Sequence, residues 1–434
     1  MKKIAMKALA LSVCTICMLS FTACSKNSDG SASTPGEVSG DAVKITVWDV
    51  YGPGKGMDKA VEAFNSSHSD IAVTEEYITD QAEMMQKIQV AAASSGENMP
   101  DVALTDMINS PLINEIVELV DLSTYLETDE KLPAEDFYEN LLQYGQVDGK
   151  QISIPGYVNN MILYYNKELF ENAGLDPEQP PKTWDELVSY AQKLTTDKVI
   201  GYMPSCLIDT YYEATSWQYQ IFVWQCGGEM WDRSQNFKPM FNSPEGIEAM
   251  QFLHDLIYKY KVSTVTPPEN AFPTEQLAMI MEGTWMGGDY LAALEDKLGA
   301  APLPYNKEPA TNTGGEQWCI ISSDQVKEDA AWEFISYMEN DEEALSTIFS
   351  SGYVPARKSL AESDFVLSLA ETSPAIRASL DSLPSSKMRI ASPKYNAASE
   401  ASAGYLQQVL YDKISVEEGV QLAAEEFESV LNGN

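Results

Sequence analysis

The feature that most constrains the fold is an alternation of strand-like and helix-like segments that begins near residue 43. Val43, Ile45 and Val47 alternate with polar residues, which is typical of a half-buried strand. Apolar residues at helical spacing follow, then a second strand pattern over 71–77, another helical stretch and a short apolar run at 101–104. Because strand–helix–strand units form parallel sheets, this order predicts an α/β fold.

The rest of the chain continues this organisation at a length that favours two domains. The segments 183–186 and 415–418 have the pattern of helix capping boxes, each followed by an apolar helical face. A further helix is predicted around 331–338. The 434 residues exceed the usual size of one domain.

The N-terminus has the pattern of a bacterial lipoprotein leader. Lysines precede an uncharged apolar run at 8–19, which is too short to span a bilayer. The segment 21–24, Phe-Thr-Ala-Cys, resembles a lipobox, although Phe21 replaces the commoner Leu. We expect a signal peptide at 1–23, diacylation of Cys24 and a flexible tether at 24–40, rich in Ser and Gly. The alternative is ordinary secretory cleavage beside an unmodified Cys24.

Charge and motif content argue against nucleic-acid binding and catalysis. The formal net charge is −37, so the chain would repel nucleic acid and anionic lipids. The two histidines, His68 and His254, have no metal-ligand spacing, and no nucleophile-elbow or zinc pattern occurs. The glycine-rich loop 52–56 is not a P-loop; it is either a plain turn or a turn facing a cleft. We predict no enzyme activity, no cofactor and no metal.

The cysteines leave the redox state open. Cys206 and Cys226 could pair in an oxidising compartment, or they and Cys319 could be buried thiols.

One stretch carries a family resemblance. The segment 156–175, with the letters LYYNK-LF--AGL, followed by PPKTWDEL at 180–187, closely resembles family 1 of the bacterial extracellular solute-binding proteins, which are relatives of maltose-binding protein. Further segments match in order, and they lie at 44–48, 278–285, 330–335 and 352–357.

The resemblance implies a two-lobed periplasmic-binding-protein-like fold of type II. The first lobe would comprise 41–154 plus 321–353 and the second 155–320 plus 354–434, with crossings near Pro155, Ile320 and Gly352. It also implies that the protein delivers a captured sugar to ABC permease subunits. We further expect a monomer on the outer face of the cytoplasmic membrane, held by its lipid anchor alone.

A neutral sugar requires aromatic faces and planar polar side chains. Trp285 matches the ligand-stacking Trp of the family and is the first candidate, with core packing as the alternative; Trp217 is the second. The other candidates lie at strand ends or beside the crossings, and they are Trp48, Asp49, Thr105, Asp106, Asn159, Gly315, Trp318, Arg357 and Tyr395. Arg357 is expected either to bind ligand or to fix the third crossing. Two further hypotheses remain: a non-sugar ligand (polyamine, metal chelate or phosphorylated metabolite), or a lipoprotein hydrolase.

Overall fold

The structure is a computed structural model that describes residues 42–51, 57–207, 212–232, 235, 237–322, 324–350 and 352–433. The predicted signal peptide, Cys24, the tether up to residue 40 and the loop 52–56 lie outside the described residues.

The described strands are β1 (Val43–Asp49), β2 (Ile71–Tyr77), β3 (Val102–Asp106), β4 (Gln146–Val147), β5 (Lys150–Gln151), β6 (Ile154–Asn166), β7 (Ile200–Pro204), β8 (Trp231–Asp232), β9 (Lys238–Pro239), β10 (Leu277–Gly283), β11 (Leu298–Ala301), β12 (Thr311–Ile320), β13 (Val354–Pro355) and β14 (Ser386–Met388).

The described helices are α1 (Met57–Ser67), α2 (Gln81–Ala93), α3 (Ser110–Ile116), α4 (Ser123–Thr128), α5 (Glu139–Tyr144), α6 (Lys167–Asn172), α7 (Trp184–Leu194), α8 (Tyr212–Gln225), α9 (Pro244–Tyr258), α10 (Gly287–Leu294), α11 (Gln325–Met338), α12 (Glu342–Ser350), α13 (Lys358–Ala361), α14 (Asp364–Thr372), α15 (Pro374–Ser382), α16 (Tyr395–Leu410) and α17 (Val416–Asn432). None of these described helices is both long and apolar enough to cross a bilayer.

The predicted alternation of strands and helices is present at the start of the described chain. Strands β1, β2 and β3 are separated by α1 and α2, and β1 pairs in parallel with both β2 and β3. The helices cover the sheet because each has one apolar face; in α1 the buried residues are Met57, Ala60, Val61 and Phe64. This part of the fold is therefore parallel, as its periodicity predicts.

Two long strands join this parallel part to the rest of the sheet. Seven strands of the ten-stranded sheet follow the order β2-β1-β3-β12-β6-β10-β7. Of the other three, β11 and β13 pair with β6, and β14 pairs with β12. Strand β12 is antiparallel to β3 and β6, whereas β10 and β7 are parallel to each other. The sheet as a whole is mixed, since β6 and β12 run antiparallel to most of their neighbours. Both are buried along their whole length.

The predicted capping boxes form the starts of two helices. Thr183 accepts a hydrogen bond from the Glu186 amide at the start of α7, and Ser415 accepts one from the Glu418 amide at α17. Side-chain oxygens at these positions satisfy amides that the first helical turn leaves without partners.

The third predicted crossing runs against a turn in the second half of the chain. Gly352 has a φ of +94°, and a Cβ there would lie 1.7 Å from the Thr284 carbonyl oxygen. Only glycine fits this backbone path. Thr284 follows β10 directly, so Gly352 packs against the turn between β10 and α10.

The structure shows the redox state of two of the three cysteines, Cys226 and Cys319. Cys226 and Cys319 are buried and free, so the pair Cys206–Cys226 is not formed. Burial raises the pKa of Cys226 to about 11 and that of Cys319 to about 12, which makes both poor nucleophiles.

Candidate functional site

A cavity of about 920 Å³ lies where separate segments of the chain meet. Its lining comes from the start of α2, the end of β3, the start of α8, the turn after β10, the residue after β14 and the start of α16. The residues that define its chemistry are Gln81, Asp106, Glu213, Trp285, Arg389 and Asn396. Asp106 lies at the carboxyl end of a parallel strand, where α/β sheets place their ligands.

The aromatic wall of the cavity is Trp285, which is backed by Trp217; these are the two leading candidates. The rings of Trp217 and Trp285 are stacked with centroids 5.8 Å apart and planes 17° from parallel. Trp285 lines the cavity and is half-buried, whereas Trp217 is buried behind it. The indole Nε1 of Trp217 has no hydrogen-bond partner among the described residues. The structure thus brings these two separately predicted candidates into contact.

Trp285 reaches this position because it follows β10 in a short 3₁₀ turn, Thr284–Met286. Its ring folds back over the end of the strand. A Cβ on Gly283 would lie 2.1 Å from Cη2 of that ring. The absence of a side chain at residue 283 therefore allows the observed ring position.

The centre of the cavity holds a buried guanidinium between two carboxylates. Nη2 of Arg389 donates to Oδ1 of Asp106 at 2.9 Å, and Nη1 lies 3.6 Å from Oε1 of Glu213. The guanidinium also lies over the Trp217 ring, 5.0 Å from its centroid. Burial opposes its charge, but these two carboxylates raise the pKa of Arg389 above its ordinary value. Arg389 therefore stays charged and ties the aromatic wall to the end of β3.

Tyr395, another predicted contact, lies beneath this cluster. Its ring is fully buried, with the Arg389 guanidinium 5.9 Å from its centroid. Its hydroxyl donates to Oε1 of Glu213 at 3.1 Å and accepts from Nε2 of Gln220 at 2.9 Å. Tyr395 thus positions Glu213 and is not itself among the residues that line the cavity.

A chain of hydrogen-bonded amides also lines the cavity. Nδ2 of Asn109 donates to Oε1 of Gln81 at 3.0 Å and to Oγ1 of Thr105 at 3.1 Å. Its oxygen accepts from Nδ2 of Asn396 at 3.2 Å. Thr105, a predicted contact, is fully buried and holds Gln81 and Asn109 in place. The amides themselves present polar atoms to the cavity.

A carboxyl group lies directly behind Asp106. Glu316 of β12 pairs in register with Asp106 of β3. Its carboxyl accepts from the Tyr51 hydroxyl at 3.1 Å and from that of Tyr353 at 3.4 Å. Burial, and then the charge of Asp106, raise the pKa of Glu316 to about 8.

Asp49 and Asn159 lie close to this region. Asp49 is fully buried, accepts from the Tyr51 amide at 2.9 Å, and has its pKa raised to about 6, chiefly by burial. Asn159 packs over Gly314 beside Trp217: a Cβ on Gly314 would lie 2.6 Å from Asn159 Oδ1 and 3.3 Å from Trp217 Cζ2. Both residues support the cavity from behind.

Four predicted contacts lie away from the cavity. Trp48 donates from Nε1 to Glu76 at 2.9 Å and has Lys87 over its ring, on the face of a different surface pocket. Trp318 is enclosed in the core and donates to Glu339 at 2.8 Å.

Gly315 and Arg357 have structural contacts. Gly315 lies at the irregular pairing of β12 with β6, where a Cβ would fall 2.1 Å from the Tyr157 carbonyl oxygen. Arg357 donates to Asp136, the Glu339 carbonyl and Asn340 at 2.8–2.9 Å. These contacts match the alternative in which Arg357 fixes the third crossing.

Five polar residues that line the cavity were not predicted from the sequence, and they are Arg389, Glu213, Gln81, Asn109 and Asn396. Two signals were present: Glu213 precedes Trp217 by one helical turn, and Gln81 follows the carboxyl end of β2. Arg389 follows a three-residue strand and has no local motif.

Among the described residues, no group of His, Cys, Asp and Glu could hold a metal ion. A cavity with an aromatic wall and convergent amides, in a mixed α/β fold with helices on both sides of the sheet, defines a protein that binds a small solute.

The comparisons identify the family. A sequence profile described as bacterial extracellular solute-binding protein matches residues 59–374. The chain belongs to this family.

Relatives and solved structures agree with this assignment. The chain is similar to the arabinooligosaccharide-binding protein of Halalkalibacterium halodurans, with 26% identity over 73% of this chain and 72% of that protein. It is 24% identical to the sn-glycerol-3-phosphate-binding periplasmic protein of Escherichia coli (strain K12), over 70% and 72% of the two chains. The crystal structure of the cyclic alpha-maltosyl-1,6-maltose binding protein from Arthrobacter globiformis superposes with a TM-score of 0.81 at 30% identity, covering 91% of this chain and all of that one. These similarities support the expected fold and the expected family.

Proposed function

We propose that the protein is the extracytoplasmic solute-binding component of an ABC importer and that it captures a sugar or oligosaccharide. The observation that carries the proposal is Trp285, stacked on the buried Trp217, in the wall of a large cavity that also presents amide groups. A sugar offers C–H patches to an indole face and hydroxyls to amides, so both of its surfaces find partners. Relatives whose names state sugar ligands support this choice.

The proposed mechanism is closure of two lobes around the ligand. We place 41–154 with 321–353 in one lobe, and 155–320 with 354–434 in the other. Gln81 and Asp106 would then contact the ligand from the first lobe, and Trp285 and Asn396 from the second. Ligand contacts on both sides would stabilise the closed form, which would dock on the permease subunits as a monomer.

The proposed function includes a lipid anchor at Cys24 and a location outside the cytoplasm. Cys24 would carry two acyl chains and 25–40 would tether the binding domain to the outer face of the cytoplasmic membrane. Mass spectrometry of the N-terminal peptide from the membrane fraction would identify the acylated Cys24. A Cys24→Ala variant should leave the membrane fraction; its retention would contradict the anchor.

Isothermal titration calorimetry of a soluble form against neutral mono- and oligosaccharides tests the binding role. We expect a saturable, stoichiometric heat for at least one sugar, together with a thermal shift. If no sugar gives a binding heat but a polyamine, metal chelate or phosphorylated metabolite does, the non-sugar alternative is favoured. Turnover of the bound glycan by the pure protein would favour the hydrolase. Binding without turnover supports a transport component.

A further inference from the structure

The charge around the cavity is unbalanced towards the negative. Among the described residues that line it, Arg389 is the only cation, whereas Asp80, Asp106 and Glu213 are acidic. The Arg389 guanidinium already faces two carboxylates, at 2.9 and 3.6 Å. An anionic ligand would therefore meet a neutralised guanidinium and a surrounding excess of carboxyl groups.

Two cavity-lining residues have polar atoms without hydrogen-bond partners among the described residues, and these atoms are of opposite kinds. Nε of Arg389 is a donor on a side chain that is 3% exposed, and Oδ1 of Asn396 is an acceptor. The orientation of Asn396 is fixed by its neighbour. Asn109 donates its own amide protons to Gln81 and Thr105, so its oxygen must accept from Asn396 Nδ2.

A ligand rich in hydroxyl groups can satisfy atoms of both kinds, because each hydroxyl accepts through its lone pairs and donates its proton. A phosphate dianion or a carboxylate can only accept. An anionic group placed against Asn396 would therefore leave Oδ1 without a donor, at the cost of an unsatisfied buried acceptor.

We infer that Asn396 and the Asp106–Arg389–Glu213 cluster select ligands rich in hydroxyl groups and without a fixed negative charge, and reject phosphorylated or carboxylated solutes. This inference rests on the proposed function and narrows it. It separates this chain from the similar Escherichia coli protein whose name states sn-glycerol 3-phosphate.

Matched ligand pairs test the inference on the soluble protein. Each neutral sugar is titrated beside its own anionic derivative: maltotriose with maltotrionic acid, arabinotriose with arabinotrionic acid, glucose with glucose 6-phosphate, and glycerol with sn-glycerol 3-phosphate. For every pair with a neutral member that binds, we expect the anionic member to bind about 100-fold more weakly, as like-charge contacts of several kcal/mol require. An anionic member that binds as tightly as its partner overturns the inference and leaves solute capture intact. Failure of all the sugars to bind, neutral and anionic alike, overturns the proposed function and the inference with it.

Two variants test the assigned residues. Asp106→Asn removes one carboxylate from Arg389 and should reduce the preference for the neutral member about tenfold.

Asn396→Ala removes the acceptor that requires a donor, so the affinity for the neutral ligand should fall about tenfold while the affinity for the anionic ligand stays unchanged. Asn396 is only half-buried, so this variant should fold even where Asp106→Asn does not. The control is Asp381→Asn, which changes an exposed carboxylate paired with Arg377. An unchanged preference in Asn396→Ala would contradict the role of this residue.

Discussion

The indole rings of Trp217 and Trp285 form one stacked surface, with centroids 5.8 Å apart and planes 17° from parallel. The two residues come from different elements: Trp217 from α8 and Trp285 from the turn after β10. At this separation the rings pack against each other and leave no room for a sugar between them. The ligand surface is therefore the outer face of Trp285, with Trp217 as its support.

Replacing Trp285 with Ala should weaken ligand binding by about tenfold or more, because a stacking contact and its buried area are both lost. Calorimetry with the sugar found for the wild type measures this change. Trp285→Phe should retain part of the affinity. The exposed Tyr411→Ala is the matched control and should bind like the wild type. Unchanged affinity in Trp285→Ala would remove this residue from the site.

Replacing Gly283 with Ala should reproduce much of the Trp285 effect without removing the indole. The new Cβ would lie 2.1 Å from Trp285 Cη2, so the ring must turn away. Binding should weaken, and the intrinsic tryptophan emission should change in the ligand-free protein. Gly404→Ala is the control, since a Cβ there meets nothing within 4 Å, and a helical Ala for Gly should stabilise by up to about 1 kcal/mol. Equal affinity in Gly283→Ala and wild type would show that the ring position is not required.

Replacing Arg389 with Met should destabilise the fold strongly. The change leaves Asp106 and the buried Glu213 without their shared cation, and losing one partner of a buried ion cluster costs about 3–5 kcal/mol. Chemical denaturation measures the free energy of unfolding. Arg377→Met removes an exposed ion pair of 3.9 Å and should cost no more than about 1 kcal/mol. Similar losses for the two variants would contradict the role given to Arg389.

The pH dependence of stability should reveal the proton on Glu316. Its pKa is raised from 4.5 to about 8 in the folded protein, so between these values the folded state holds a proton that the unfolded chain has released. The free energy of unfolding should therefore fall as pH rises through this window, by up to about 1.4 kcal/mol per pH unit for one proton. Glu339, with a pKa of about 8, acts in the same direction.

Glu316→Gln should make this decline shallower by one proton's contribution, because the amide does not ionise. Denaturation at pH 5, 6, 7 and 8 measures the slope. Exposed Glu371→Gln is the control and should leave it unchanged. A slope in Glu316→Gln equal to that of the wild type would argue that Glu316 is ionised at neutral pH.

The fold was predictable where local pattern and structure coincide. The period-2 and helical spacings of 43–104 gave the parallel part of the sheet, and the capping boxes at 183 and 415 gave two helix starts. The antiparallel pairing of β6 with β12 could not be derived from spacing, since both strands are apolar or buried throughout and pair across about 150 residues.

The candidate site was predictable only in part, for a related reason. Trp217, Trp285 and Asp106 were found because motif matches or strand ends marked them. Arg389 matches no motif and ends no long strand. Its role in the site depends on Asp106 and Glu213, which only the folded chain brings next to it. Trp318 matched a plausible position near a crossing, yet its partners Glu339 and Phe334 enclose it in the core.

The close approach at Gly352 makes Trp285 a reporter of the proposed lobe movement. A Cβ at residue 352 would lie 1.7 Å from the Thr284 carbonyl oxygen and 3.3 Å from the Trp285 amide nitrogen, so the proposed crossing touches the peptide unit that carries the indole. We expect a rotation of the backbone at Gly352 to displace this peptide unit. The chain has eight tryptophans, so the contribution of Trp285 is obtained by comparing the wild type with Trp285→Phe. The difference in emission wavelength or intensity would then report ligand capture without an added label.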